Sequence, residues 1–520
     1  MQMGPWGLHY ERTNTWWEFS GPWHEYLARC QYLLRQGGGV ADVLKLESEE
    51  PLRRFQNLAL QGYSYDACGP DTLRRATVRD GRIVFPSQAR YRLIVLPATP
   101  VMTVSLLTRI RDLVEAGAAV LGDPPQRTPG LTDYPQADAT LQRLVAEIWG
   151  ADASVTDRHV GQGRVFRGLT PELALAALGV APDFSNSAGL KFIHRSVDGA
   201  EIYFLSHAGA EAITANCTFR VTGRQPELWD PATGRITLLR AFADGAQATT
   251  LSLPFEPSGS AFIVFARPAA TGGRLDNVVC NGVTVLEGGV YAPLQPGTEP
   301  AFDLVSGDLR EGGTYVLTTA DGKSRQLTAP WAAALPAVAG PWRLRFPAGA
   351  GTPAEITLDR LSSWSLHPDN GVKYFSGTAT YVKTLTLPAA KPDERLCLDL
   401  GRVEVMAKVR LNGRDLGLLW KPPYRVDITA AAQAGDNILE IEVVNLWVNR
   451  LIGDEQLPED SERNPNGTLK AWPDWLLAGQ PSPTGRYTFS SWRLWKADDP
   501  LQDSGLLGPV TVHSTVIVPP

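Results

Sequence analysis

Long apolar runs are missing from this sequence, and so are runs of basic residues. No stretch approaches the roughly 20 consecutive apolar residues of a membrane-spanning helix. No Lys/Arg cluster stands out against a formal net charge of −6. Nucleic acid and anionic membrane are therefore not expected partners. Cysteine is scarce: Cys30, Cys68, Cys217, Cys280 and Cys397 are far apart, odd in number and without metal-ligand spacing. They read as free thiols, which points to a reducing compartment. The start "MQMGPWG" has neither a basic nor an apolar leader segment, so it does not read as a secretion signal. No G-x-G-x-x-G follows a strand, and neither G-x-x-x-x-G-K-[ST] nor G-x-S-x-G occurs, so the motif-bearing dinucleotide, P-loop and nucleophile-elbow classes are not indicated. Repeats and low-complexity tracts are absent as well.

What is present suits a large, turn-rich protein. The 520 residues are enough for three or four domains, and 15 Trp, 49 Gly and 40 Pro fit β modules with aromatic binding surfaces. "GPWGLHYERT" reads as a buried strand and its exit loop. Residues 17 to 36 then read as one helix, with Trp23, Tyr26, Leu27, Cys30, Leu33 and Leu34 at spacings of three and four and Gly37 as the stop. Strand, loop and helix in that order form the βα unit of an α/β barrel, assigned to residues 1–37. With no other barrel unit beside it, that helix is expected to leave Trp23, Tyr26, Leu27 and Leu34 uncovered.

Residues 38–188 alternate between strands such as "VADVLKLE" and "YRLIVLP" and helices such as "PLRRFQNLAL", "SLLTRIRDLVEAG" and "PELALAALG". Repeated βα units predict a parallel sheet covered on both faces, of flavodoxin-like type. Helical signals then fade. Residues 189–269 read as a β-sandwich that opens on a hairpin turning at "DG". Residues 270–340 read as a small β region or linker, and 341–520 as a second all-β module.

Four groups of residues bear on chemistry. The opening cluster places His9, Glu11 and Arg12 at a strand end, with Trp16 and Trp17 available as a wall for a sugar ring. Sugars stack C–H faces on aromatic rings and send hydroxyls to Arg, Glu and His. The alternative is a structural Arg–Glu pair beside a helix whose cap is Thr13 or Asn14. Cys68 in "YDACGPDTL" has no histidine nearby in sequence, so a buried small residue is favoured over a thiol nucleophile. The acidic loop at 445–467 carries Asp454, Glu455, Glu459 and Asp460 with Asn464 and Asn466. Their oxygens could bind calcium, but the D-x-[DN]-x-[DN]-G spacing is absent, and a solvated loop stays open beside that reading. Finally, Trp420, Tyr424, Trp472, Trp475, Trp492 and Trp495 divide between core and loop platforms.

Two stretches together resemble glycoside hydrolase family 106, the α-L-rhamnosidases. One is "GPWGLHYERTNTWWE…YLARCQYLLRQG…VADVL". The other is "GTATYVKTLTLP…LDLGRVEVMAKVRLNGRDLGLLWKPPYRVDIT…VVNLWVNRLIGDEQLPED". The second also resembles the galactose-binding-like jelly roll of β-galactosidase relatives. The resemblance implies an inverting, calcium-assisted hydrolase of terminal α-L-rhamnosides in plant or pectic glycans, with a rhamnosylated glycan or oligosaccharide as partner. It also implies that the catalytic acid and base lie on barrel strands ahead of "GPWGLHYERT". The chain is then expected to be a C-terminal portion, inactive alone, of an enzyme whose longer form is periplasmic or secreted if it carries a signal and cytoplasmic otherwise. His9, Glu11, Arg12, Trp16 and Trp17 are its expected sugar contacts, and Glu11 is the one candidate here for a catalytic carboxylate. A non-catalytic carbohydrate-binding protein and a β-galactosidase-like glycosidase are the alternatives.

Overall fold

Short strands, most of their positions buried, set the first layer of the fold. Val43–Leu46 is buried at every position, as a strand covered on both faces must be. It pairs in parallel with Tyr65–Cys68 on one side and Leu93–Val95 on the other. Ala119–Leu121 and Gly163–Phe166 extend the sheet in parallel, and Asp157–Val160 closes its edge antiparallel. In chain order the parallel strands run 2-1-3-4-5, a doubly wound arrangement. Strand alternation divides the core in two. Leu44, Ile94, Val120 and Val165 pack on the helix Val104–Glu115, which Thr103 caps by accepting from the Leu106 N–H. Val43, Leu93, Ala119 and Phe166 pack instead on the helix Pro171–Ala177.

The computed structural model describes residues 10–50, 57–270, 272–294, 299–330, 337–389 and 391–517. The strand expected in "GPWGLHY" lies outside them up to residue 9. So does the first part of the helix expected at "PLRRFQNLAL", and residues 57–60 of that stretch are irregular. No helix among the described residues is long and apolar enough to cross a membrane.

A sandwich of two sheets follows. One sheet has six strands, with Lys191–Val197, Ala200–Ser206 and Ser260–Pro268 at its centre; the other has four, centred on Ile213–Phe219 and Thr249–Phe255. Leu205, Ile263 and Phe265 of the first meet Cys217, Phe219 and Leu251 of the second. The boundaries at 37/38 and 188/189 need correction. Gly38–Gly39 already pairs with Arg195 and Ser196 as an edge of the first sandwich sheet, and Phe184–Asn186 pairs within the second. Pairings of only two or three residues are invisible to periodicity.

Residues 275–329 are not a linker. Five antiparallel strands enclose a core of Val278, Leu286, Tyr291, Phe302 and Tyr315. Asn281 and Gly282 both take positive φ, 50° and 81°, as a two-residue hairpin turn requires. The C-terminal module packs a six-stranded sheet, led by Thr378–Leu387 and Gly435–Val444, against a four-stranded one. Trp342, Tyr381, Val409 and Ile441 share its core with Leu396, Leu398 and Val512. The two units are stitched together. Asp308–Leu309 pairs with Thr511–Ile517, and Arg395 Nη1 donates to Asp308 Oδ2 at 2.5 Å.

The first helix is shorter than expected and it is covered. A 3₁₀ turn, Trp17–Phe19, precedes the α-helix Gly21–Leu34, which begins with Pro22 in its first turn. Its N-cap is Ser20, with no side-chain cap bond, so neither Thr13 nor Asn14 caps it. Cys30 and Leu33 are buried against Ile202, Phe262 and Val264, with Tyr26 and Leu34 packed around them. Trp23 packs on the C-terminal module beside Met406 and Val444. The apolar stripe thus faces two β modules rather than standing uncovered.

Candidate sugar-binding site

The segment before this helix folds as successive turns: Asn14 N–H donates to Glu11 O at 3.1 Å, Trp17 N–H to Asn14 O at 3.2 Å and Phe19 N–H to Trp16 O at 2.9 Å. The turns send neighbouring side chains in different directions. Trp16 goes inward and is only 4 % exposed, among Phe19, Met406 and Val444, with its ring edge-on to Trp23 at 5.7 Å. It is a core residue, which corrects its expected place in the sugar wall. Trp17 is half-buried beside His24 and Tyr10, each 5.9 Å away. Glu11 and Arg12 are exposed, and Glu11 Oε1 accepts from the Thr13 hydroxyl at 2.6 Å. His9 lies outside the described residues.

A second strip of chain completes the site. Trp447 Nε1 donates to Thr13 O at 2.7 Å, and the Thr15 hydroxyl donates to Asn445 O. Asn445 is buried and rigidly held: its Oδ1 accepts from Gly377 N–H at 2.9 Å and its Nδ2 donates to Phe375 O at 2.8 Å. The Trp447 ring lies 6.4 Å from Tyr487, whose other neighbour is the Arg450 guanidinium, 5.0 Å from its centroid. Burial pulls the Arg450 pKa below the ordinary arginine value, while Asp454 and Tyr487 oppose that shift. Tyr487 is 54 % exposed. The backbone of the segment that carries Glu11, Arg12 and Trp17 thus meets Trp447 at a seam, and Tyr487 adjoins Trp447 there. Sequence reading missed Trp447, Arg450 and Tyr487 as site residues. The available signal was a tryptophan directly after the long alternating strand that ends at Val444.

The acidic loop does not suit a calcium ion. Asp454 is 4 % exposed, and its Oδ2 accepts from Tyr487 N–H, Thr488 N–H and the Thr488 hydroxyl at 3.1, 2.6 and 2.6 Å. Glu455 pairs with Arg486 and Arg493, each at 3.0 Å, and Asp460 accepts from Ser482 at 2.7 Å. Arg493 also holds Glu459, whose pKa that contact lowers. Among the described residues no three His, Cys, Asp or Glu side chains converge as metal ligands. Asp454, Glu455 and Asp460 instead fasten the irregular segment at 455–503. Its indoles are partly structural too: Trp475 donates to Asp460 O and Trp492 to Asn466 O, each at 2.9 Å, while Trp472 is largely exposed.

Residues 1–242 match the family model of glycoside hydrolase 106, alpha-L-rhamnosidase. The solved rhamnosidase from Novosphingobium sp. PP1Y superimposes on 98 % of this chain with a TM-score of 0.74 and 32 % identity. A curated protein of Formosa agariphila, named "Putative beta-glucuronidase", is 28 % identical to the chain across 98 % of its length. The chain spans 58 % of that relative and 42 % of the Novosphingobium rhamnosidase. The rhamnosidase family's match thus ends inside the sandwich, whereas the structural likeness continues through the C-terminal module.

Proposed function

We propose that the chain serves a glycoside hydrolase that cleaves terminal α-L-rhamnosides with inversion, and that it contributes one side of the sugar site. The observation that carries the proposal is the seam itself. Exposed Glu11 and Arg12 lie in the segment that Trp447, the neighbour of Tyr487, holds by its bond to Thr13 O, within a fold shared with a rhamnosidase along nearly its whole length. Arg12 presents a planar fork of donors suited to paired hydroxyls, and the aromatic faces suit the C–H side of a deoxy sugar. Inversion needs one carboxyl to protonate the leaving oxygen and another, about 6.5–9.5 Å away, to activate water. Glu11 is a single carboxylate and can take at most one of those roles. No step is assigned to calcium, because the acidic loop does not fit it.

A second reading has a specific basis. The Formosa relative is named for glucuronide hydrolysis, and Arg12 would pair bidentately with a uronate carboxylate. The protein should be assayed in parallel on nitrophenyl α-L-rhamnoside and nitrophenyl β-D-glucuronide, with L-rhamnose and D-glucuronate binding followed by saturation-transfer NMR. Saturable L-rhamnose contact that weakens in Arg12→Ala and Tyr487→Ala is expected. Preference for glucuronate or its glycoside would replace the rhamnoside reading with the second one.

A further inference from the structure

Away from this seam, a cavity of ≈ 820 Å³ opens between the parallel sheet and the sandwich. Four arginines line it, Arg82, Arg90, Arg92 and Arg220, with Asp42 as the one carboxylate among the described lining residues. This is a local concentration of positive charge on a chain whose net charge is −6. The positions are fixed by backbone. Arg92 precedes the strand Leu93–Val95, and its N–H donates to Asp42 O at 2.7 Å. Arg82 and Arg90 sit on the strands Arg82–Val84 and Arg90–Tyr91, which pair with each other beside it. Arg220 follows the strand Ile213–Phe219 and is committed elsewhere: it donates to Asp42 Oδ2 at 2.9 Å and to Ala181 O at 2.7 Å.

Arg82, Arg90 and Arg92 have no such commitment. Among the described residues their guanidinium groups make no hydrogen bond or ion pair. Arg92 is half-buried, and its pKa is lowered by burial and by the neighbouring Arg82 and Arg220 charges, which Asp42 only partly offsets. Burial likewise raises the Asp42 pKa in spite of Arg220. Like charges held together without counter-charge are unfavourable unless a ligand of opposite sign occupies the space. The lining also contains Gln88 at φ 68°, a left-handed backbone that is costly for a residue other than glycine.

We propose that this cavity binds a multiply charged oxyanion, held by Arg82 and Arg92 with Arg90 at the rim and Arg220 as the fixed back wall. Guanidinium forks grip phosphate, sulfate and carboxylate oxygens in pairs, and a ligand there would bridge the parallel sheet and the sandwich. Free inorganic anion and the carboxylates of an acidic saccharide offer the same chemistry. Calorimetric titration of the full chain at low ionic strength separates them, with inorganic phosphate, digalacturonate and L-rhamnose as probes. Saturable binding of phosphate or digalacturonate, with a dissociation constant below about 1 mM, and none of L-rhamnose, is expected. Whichever anion binds tighter names the source. Arg92→Gln should weaken that binding at least about tenfold, while Arg345→Gln, on a distant exposed strand, leaves it unchanged. Arg82→Gln serves as the second variant if Arg92→Gln does not fold, judged by circular dichroism. Absence of saturable anion binding, or equal affinity in the folded Arg82 or Arg92 variant, overturns the proposal.

Discussion

Trp447 Nε1 donates to the carbonyl of Thr13 at 2.7 Å, across a separation of 434 residues in the chain. The bond docks the segment that carries Glu11 and Arg12 against Trp447, whose ring lies 6.4 Å from that of Tyr487. Trp447→Phe keeps most of the ring and removes the donor. It should cost about 0.5–1.5 kcal/mol. The larger effect is local: amide hydrogen exchange at residues 10–20 should speed up, with the helix Val104–Glu115 unaffected. Unchanged exchange in the N-terminal segment would mean that the Thr15–Asn445 contact suffices to dock it.

His194 gives the sandwich a pH dependence with a definite sign. Its ring lies between two carboxylates, with Nδ1 2.9 Å from Asp183 Oδ2 and Nε2 2.9 Å from Glu201 Oε2, and it stacks on Tyr203 at 3.8 Å. Arg220, 3.5 Å from Asp183, is the cation facing the cluster. Burial alone would lower the His194 pKa, but Asp183 and Glu201 outweigh it and the pKa is raised. A raised folded pKa favours folding below the ordinary histidine value of about 6.5, and that contribution is lost as pH rises through the folded value. Urea midpoints of the wild type should therefore fall as pH climbs above about 6.5. His194→Gln should flatten that slope, and a wild-type midpoint that rises over the same range would contradict the assignment.

Asp454 separates a structural role from a metal-binding one. Replacing it with Ala leaves two backbone N–H groups and one hydroxyl without their acceptor, at a cost of about 1–3 kcal/mol. Thermal unfolding of the wild type should be the same with calcium as with chelator, and Asp454→Ala should lower Tm equally in both. A calcium-dependent rise in wild-type Tm that vanishes in the variant would restore the loop as a cation site.

Much of this architecture could be read locally, because the determining interactions are local. Leu106, Leu107, Ile110, Leu113 and Val114 mark one helix face within a dozen residues. Asp198–Gly199 turns a hairpin with both residues at positive φ, as the dipeptide suggested. The equivalent signal at Asn281–Gly282 was present but isolated, and the five-stranded sheet around it depends on pairings across longer loops. Trp16 shows the limit. Its composition and neighbours suit a sugar platform, yet Met406 and Val444 bury it, and nothing near Trp16 in the chain announces them. Residues 455–503 follow the same logic, since side-chain bonds such as Arg486 to Glu455 hold them rather than any repeat.

The covered first helix makes the last prediction. Leu33 is buried against Ile202, Phe262 and Val264, so its side chain joins the helix Gly21–Leu34 to the outer face of the six-stranded sandwich sheet. Leu33→Ala should cost about 2–5 kcal/mol, because the sheet beneath cannot collapse to fill the space. Gln31→Ala, on the exposed side, should stay within about 0.5 kcal/mol of wild type. The variant should also begin to self-associate as the helix lifts from the sheet and uncovers Tyr26, Cys30 and Leu34, whereas the wild type does not associate through that face. Light scattering and denaturant unfolding measure both effects. Wild-type stability in Leu33→Ala, with association already present in the wild type, would mean that the helix is not seated on the sandwich in solution.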